Sequence, residues 1–236
     1  MTKLTIDDRL KKDLNEKTPQ EVLKWAYDNF DNIAISTSMQ SGGIILIDMA
    51  KKAGLNFRVF TIDTGRLPEE TYLMMDQIRE NYGIDLEVYF PNYKKVEELV
   101  RGKGLYSFKD NIDNRLECCY IRKVEPLQRA LTGLDAWVTS LRKTQSNERS
   151  QTSVIEIDKA HNNIAKINPL ANWTEQNILD YVQKHKVPRH PLYAEGYTSI
   201  GCEPCTRPIQ IGEDQRAGRW WWELTNKKEC GLHYII

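Results

Sequence analysis

Apolar residues fall in short runs, and helix-period stretches separate them over much of the chain. Residues 32–36 read Asn-Ile-Ala-Ile-Ser, a run of strand length, and residues 44–53 continue it as an apolar helix. Residues 57–62 predict a second strand. Residues 68–82 predict a helix, with Pro68 in its first turn and Glu69 and Glu70 beside its positive end. Residues 86–89 form a third strand in this reading. Residues 117–131 have a helical pattern that Pro126 should break or kink. Residues 136–139 and 164–167 predict further strands, and Thr174 caps a helix running to about residue 185. This alternation predicts an α/β fold, a doubly wound and mostly parallel sheet. Ligands of such sheets sit at the carboxyl ends of the strands, so the segments after the strands are the candidate site.

Three of those segments suit an anion. Residues 36–43, Ser-Thr-Ser-Met-Gln-Ser-Gly-Gly, offer hydroxyls and a helix start, with Ser36 and Ser38 as candidate contacts. No Gly-Lys-Ser/Thr follows, so this is not a Walker A loop. Asp63, Thr64, Gly65 and Arg66 follow the second strand. Arg142, Lys143 and Arg149 follow the strand at 136–139, where guanidinium groups can clamp an oxyanion. Each segment alone also reads as an ordinary polar turn. Their coincidence at one crevice is what favours a site.

Composition narrows the ligand. Thirty-three basic residues balance 33 acidic ones, so there is no global field to hold nucleic acid or an anionic membrane. A small anion would need a local basic pocket. No apolar stretch approaches the roughly 20 residues of a membrane span, and residues 1–14 lack a signal-peptide core. The expected location is the cytoplasm, where thiols stay reduced.

The five cysteines divide as four plus one. Cys118 and Cys119 are adjacent, Cys202 and Cys205 form a CxxC, and Cys230 stands near the end. Two pairs can supply four thiolates to a metal centre. Structural zinc pairs usually have two to four residues between ligands, whereas adjacent cysteines can meet two different irons of a cluster. Spacing and ligand softness therefore favour a [4Fe–4S] cluster over zinc. Lys123 lies four residues past Cys119 and would offset the cluster's negative charge. Arg216 and Arg219 would share a face if their stretch were helical. Cys230 has Lys227, Lys228 and His233 nearby, and cations raise a thiol's thiolate fraction.

The strings DTGRLPEETY, GCEPCTRP, GEDQRAGRWWWE and KKECGLH, with the CC…CxxC pattern, resemble the assimilatory adenylyl-sulfate reductases. The wider family includes the phosphoadenylyl-sulfate reductases. The resemblance runs from about residue 32 to the C-terminus. It implies a fold of the adenine-nucleotide alpha-hydrolase type: one domain over 1–222, including a cluster-binding region, and a mobile tail over 223–236. It implies one [4Fe–4S] cluster on Cys118, Cys119, Cys202 and Cys205, and Cys230 as nucleophile. Cys230 would attack the sulfur of adenylyl sulfate, and thioredoxin or a glutaredoxin-like reductant would release sulfite. Lys123, Arg149, Arg216, Arg219 and His233 would supply the positive charge.

Two positions depart from the family pattern. Met39 follows Ser38 where a glycine is frequent, and Ser140 stands at another such place. Several alternatives stay open. They are a phosphoadenylyl-sulfate or dual-substrate reductase, an ATP-using enzyme of RNA thiolation, and a non-enzymatic metal module. A homo-oligomer is compatible with the chain.

Overall fold

The computed structural model describes residues 6–223 and 231–233. Helices α1 (Asp8–Asn15) and α2 (Pro19–Asn29) precede the sheet. Pro19 opens α2, where Thr18 and Glu21 form a reciprocal capping box. Three strand–helix units follow: β1 (Ile33–Ser36) with α3 (Ser41–Lys52), β2 (Arg58–Ile62) with α4 (Glu69–Tyr82), and β3 (Leu86–Tyr89) with α5 (Tyr93–Lys103). Next, α6 (Ile112–Cys119) runs through one π-helical turn, Tyr120–Val124, into α7 (Glu125–Ala130). Strands β4 (Ala136–Val138), β5 (Ile155–Asp158) and β6 (Ile164–Ile167) follow, and then α8 (Glu175–His185).

The described strands make one six-stranded sheet in the order β3-β2-β1-β4-β6-β5. All neighbours are parallel except the edge strand β5, which is antiparallel to β6. The expected α/β class and parallel sheet are therefore observed. One face of the sheet packs into the larger core, which includes Val22, Ile35, Ile45, Ile47, Val59 and Ile178. The other packs Ala34, Phe60 and Trp137 against Leu127, Ala130 and Leu131. The strand order reverses between β1 and β4. A crevice must open there, because the connections leave in opposite directions.

Some elements differ from the sequence expectation. Helix α3 begins at Ser41 rather than 44, so Gly42 and Gly43 lie inside its first turn. A Cβ on Gly42 would come 2.9 Å from Ser140 Cβ, and one on Gly43 would strike Thr37. The glycines let the helix start press against the ends of β1 and β4. Pro68 is the N-cap of α4, not part of its first turn. The break expected at Pro126 is a widened turn just before it. A proline has no N–H to give and crowds the carbonyl four residues back. Residues 210–222 form turns, so Arg216 and Arg219 share no helical face. That segment instead folds back on its predecessor, with Thr206 bridging Arg219 and Arg207 N–H donating to the Gly218 carbonyl at 3.0 Å. Helices α1, α2 and α5 and the edge strand β5 are additional to the elements predicted.

Candidate active site

A cavity of about 200 Å³ opens at the carboxyl ends of β1 and β4. Ser36 and Ser38 line it, as the sequence suggests. Between them and α3 the chain turns sharply. Met39 takes the left-handed conformation, φ 57°, with its side chain fully buried, and its N–H donates to Thr37 Oγ1 at 3.1 Å. A glycine would hold that backbone without strain, but would forfeit the buried thioether. Gln40 ties the turn to a distant loop. Its amide nitrogen donates to Ser38 Oγ (2.9 Å) and the Ile200 carbonyl (3.2 Å), and its oxygen accepts from Ile200 N–H (3.1 Å).

Five cationic side chains line the same cavity: Lys123, Arg142, Arg149, Arg216 and Arg219. They come from three separate stretches of chain. Arg216 and Arg219 both donate to Ser199 Oγ, at 3.4 and 3.3 Å. The Gln145 side-chain oxygen accepts from Arg142 N–H (3.2 Å) and Arg149 Nη1 (2.7 Å). Arg142 is committed differently from the expectation. Its Nη2 pairs with Glu175 Oε2 at 2.5 Å, and Glu175 is the sole carboxylate among the described lining residues. Burial pulls the Arg142 guanidinium below its ordinary value, against the pull of Glu175. The other cations thus give the cavity its positive excess.

Leu232 and His233 close one side of the cavity. Burial, and then the charges of Lys166, Arg149, His161 and Arg216, hold the His233 imidazole well below its usual value, so it is neutral. Cys230 and its neighbours Lys227 and Lys228 lie outside the described residues.

Of Asp63, Thr64, Gly65 and Arg66, Thr64 alone lines the cavity. Asp63 stands behind the wall and shapes the turn, where Oδ1 accepts from Gly65 N–H (2.7 Å) and from the Tyr72 hydroxyl (2.9 Å). Gly65 has φ 69° and serves that turn. Arg66 points away from the cavity. It donates to the Leu105 carbonyl at 2.6 Å and lies over the Phe108 ring at 5.1 Å.

Arg66 instead borders a second, smaller cavity. Cys118, Cys119, Cys202 and Cys205 all line it, with Arg66, Arg115, Arg122 and Lys123. The α6–π-turn junction carries the first two cysteines, and a short 3-10 turn, Glu203–Cys205, presents the CxxC. All four are free thiols. Burial pushes Cys205 up to about 11, reinforced by Cys202, and raises Cys118. Burial would raise Cys202 too, but Lys123, Thr64 and Arg219 outweigh it and bring it down. Its Sγ donates to Thr64 Oγ1 at 3.2 Å. Trp220 is fully buried, with Arg115 and Arg219 over its ring at 4.7 and 4.8 Å.

Among the described residues, no three His, Cys, Asp or Glu converge on one ion position. An iron–sulfur cube offers a separate iron to each thiolate, and four sulfurs around a cavity with cations behind them suit it. Lys123 and Cys202 line both cavities, so the two sites adjoin.

Arg122 was not singled out by the sequence, yet it is 7% exposed and donates to the Thr64 carbonyl at 2.7 Å. Gln40, Ser199 and the cavity-lining Tyr193, whose hydroxyl accepts from Ser41 N–H at 3.4 Å, were missed as well. Adjacency to Lys123 and to the CxxC was the available signal for Arg122 and Ser199. Nothing local marks Gln40 or Tyr193.

A parallel-sheet crevice lined by buried cations, beside a four-cysteine cavity, suits an anionic ligand. Residues 32–208 match the model of the phosphoadenosine phosphosulfate reductase domain, and the chain belongs to that family. An adenosine 5′-phosphosulfate reductase of Pseudomonas aeruginosa is 46% identical, over 93% of this chain and 84% of its own. A chloroplastic 5′-adenylylsulfate reductase of Arabidopsis thaliana is 44% identical, over 96% of this chain and 51% of its own. The solved structure of a phosphoadenylyl-sulfate reductase from Candida auris superposes with a TM-score of 0.75 at 32% identity, covering 86% of this chain and 99% of that one. Among the described residues, no helix is long and apolar enough to cross a membrane.

Proposed function

We propose that the chain reduces adenylyl sulfate to sulfite and AMP in assimilatory sulfate reduction, with Cys230 as nucleophile. The observation that carries this reading is Lys123, buried and shared between the cation-lined cavity and the four-cysteine cavity. The nucleotide occupies the crevice, with the turn at Ser36–Ser41 and the start of α3 offering donors to its phosphate. Lys123, Arg149, Arg216 and Arg219 hold the sulfate. The Cys230 thiolate attacks the sulfur, the bond from sulfur to the AMP phosphate oxygen breaks, and AMP leaves with that electron pair. Attack by one anion on another demands this density of positive charge. The product is S-sulfocysteine at residue 230. A thiolate of reduced thioredoxin or a glutaredoxin-like protein then attacks the Cys230 sulfur and releases sulfite, leaving a mixed disulfide for its second thiol to resolve.

The cysteine quartet would hold a [4Fe–4S] cluster, with Arg66, Arg115, Arg122 and Lys123 balancing its negative charge. Such a group would add electrostatic tuning at the sulfate end of the crevice. Residues 223–236, anchored at Glu223 by its pair with Arg115, act as a tail that delivers Cys230, and four free thiols suit a reducing compartment such as the cytoplasm.

A thioredoxin-coupled assay with adenylyl sulfate and with its 3′-phosphorylated analogue tests the substrate. A clear preference for adenylyl sulfate is expected, and equal rates would defeat it. Cys230→Ser should bind AMP normally and form no S-sulfonated protein. Sulfite release by that variant would sink the assigned role.

A further inference from the structure

Lys166 lies in β6, in the interior of the sheet, and is only 1% exposed. A buried ammonium is costly unless it is well paired, so its partners are informative. The register places Lys166 beside Trp137 of β4 on one side and Glu156 of β5 on the other. Its Nζ lies 3.1 Å from Glu156 Oε1 and 5.6 Å from the centre of the Trp137 ring. The same Nζ donates to the backbone carbonyl of His233 at 3.0 Å.

The rest of this sheet face is built around that contact. The His233 ring stacks on Trp137, with centroids 5.5 Å apart and planes 17° apart. Trp137 is itself fixed, because its Nε1–H donates to Asp158 Oδ2 at 3.1 Å and His161 Nδ1 holds that same oxygen at 2.9 Å. Leu232 packs into the apolar cluster of Phe60, Leu127 and Trp137. Three independent contacts, one a hydrogen bond from an ammonium, one aromatic and one aliphatic, thus grip two consecutive residues, Leu232 and His233. Leu232 and His233 thereby become a wall of the cavity that holds Lys123, Arg149, Arg216 and Arg219.

We infer that Lys166, with Trp137, is a positioning residue for the C-terminal segment and so for the nucleophile that precedes it in sequence. The inference rests on the proposed role of Cys230, which is bonded directly to Gly231. Lys166 grips the main chain rather than a side chain, so it sets the path of the segment. Trp137 sets its depth through the stack. Neither residue touches the reacting atoms in this scheme. Both act on how often the segment is seated when nucleotide is bound.

The test uses the full-length, cluster-loaded protein unchanged, as Lys166→Met and as His233→Ala. The second variant keeps the backbone carbonyl and loses only the stack. Hydrogen exchange at residues 231–233 is read by mass spectrometry. Formation of S-sulfonated protein is followed in a single turnover without reductant, and AMP affinity is measured alongside. Lys166→Met should speed exchange at least tenfold, slow S-sulfonation at least tenfold, and shift AMP affinity less than threefold. His233→Ala should speed exchange at least threefold. Unchanged exchange in either variant overturns the inference, as does AMP affinity falling in step with S-sulfonation. If the unchanged protein forms no S-sulfonate at Cys230 while exchange still responds to Lys166→Met, the grip stands and the assignment of Cys230 fails.

Discussion

Replacing Gly201 by alanine adds one methyl group beside the cavity, and the structure says where it goes. A Cβ at that position would lie 2.6 Å from Arg219 Cζ and 2.8 Å from its Nη1. Ordinary contact needs about 3.5 Å, so the guanidinium must withdraw by about 1 Å. It has little room to do so. Arg219 is 6% exposed, lies over Trp220, and donates to Ser199 Oγ and the Ile200 carbonyl. A displacement of about 1 Å in a group that positions substrate costs about 100-fold in rate, or about 2.7 kcal/mol of transition-state stabilisation. The assay is steady-state sulfite production from adenylyl sulfate with a saturating thiol reductant. The control is Gly102→Ala, the same change in α5, where nothing lies within 4 Å of the added carbon. The control should keep full activity and gain up to about 1 kcal/mol of stability. If Gly201→Ala stays within threefold of the unchanged enzyme, then Arg219 does not act from the place described, and the reasoning fails.

Two further outcomes follow from buried charge. Arg115 and Glu223 form a two-pronged pair, 2.8 and 3.1 Å, with side chains 3% and 5% exposed. Glu223→Leu should cost about 3–5 kcal/mol by leaving the guanidinium buried without its carboxylate, and Arg115→Met with Glu223→Leu should recover most of it. Denaturant unfolding measures both, and a loss below about 1 kcal/mol for the single variant would refute the account. The neutral state of seated His233 predicts a pH effect on the C-terminal segment. Its seated value lies below its free value, so seating is complete above about 6.5 and is lost as pH falls from there toward the seated value. The opposing charges are Lys166, Arg149, His161 and Arg216. Exchange at residues 231–233, corrected for its intrinsic pH dependence, should accelerate from pH 7 to 5.5, and His233→Ala should flatten the response. A flat profile in the unchanged protein would contradict it.

What the sequence determined by itself is local. Runs such as 32–36 and 136–139 are mostly apolar over strand length, and stretches between the predicted strands repeat with helical period, so the parallel α/β class was legible in the chain. The grouping of the cysteines was equally legible, because ligand spacing is a property of neighbouring residues. The helix start at Ser41 was not, since it depends on Thr37 and Ser140 leaving no room for a Cβ on Gly42 or Gly43. Convergence was the province of tertiary structure. The strand order, with β4 inserted beside β1, brings Arg142 and Arg149 to the turn at Ser38. Turns rather than a helix bring Arg216 and Arg219 to Ser199. Packing also reassigned residues that looked alike in sequence. Half-buried Arg66 turns to the cysteine cavity and buried Arg142 pairs with Glu175, because a guanidinium with little access to water goes where a carbonyl or carboxylate meets it. No pattern along the chain could show that Lys166 would find the His233 carbonyl, since the two meet only after β6 takes its place in the sheet.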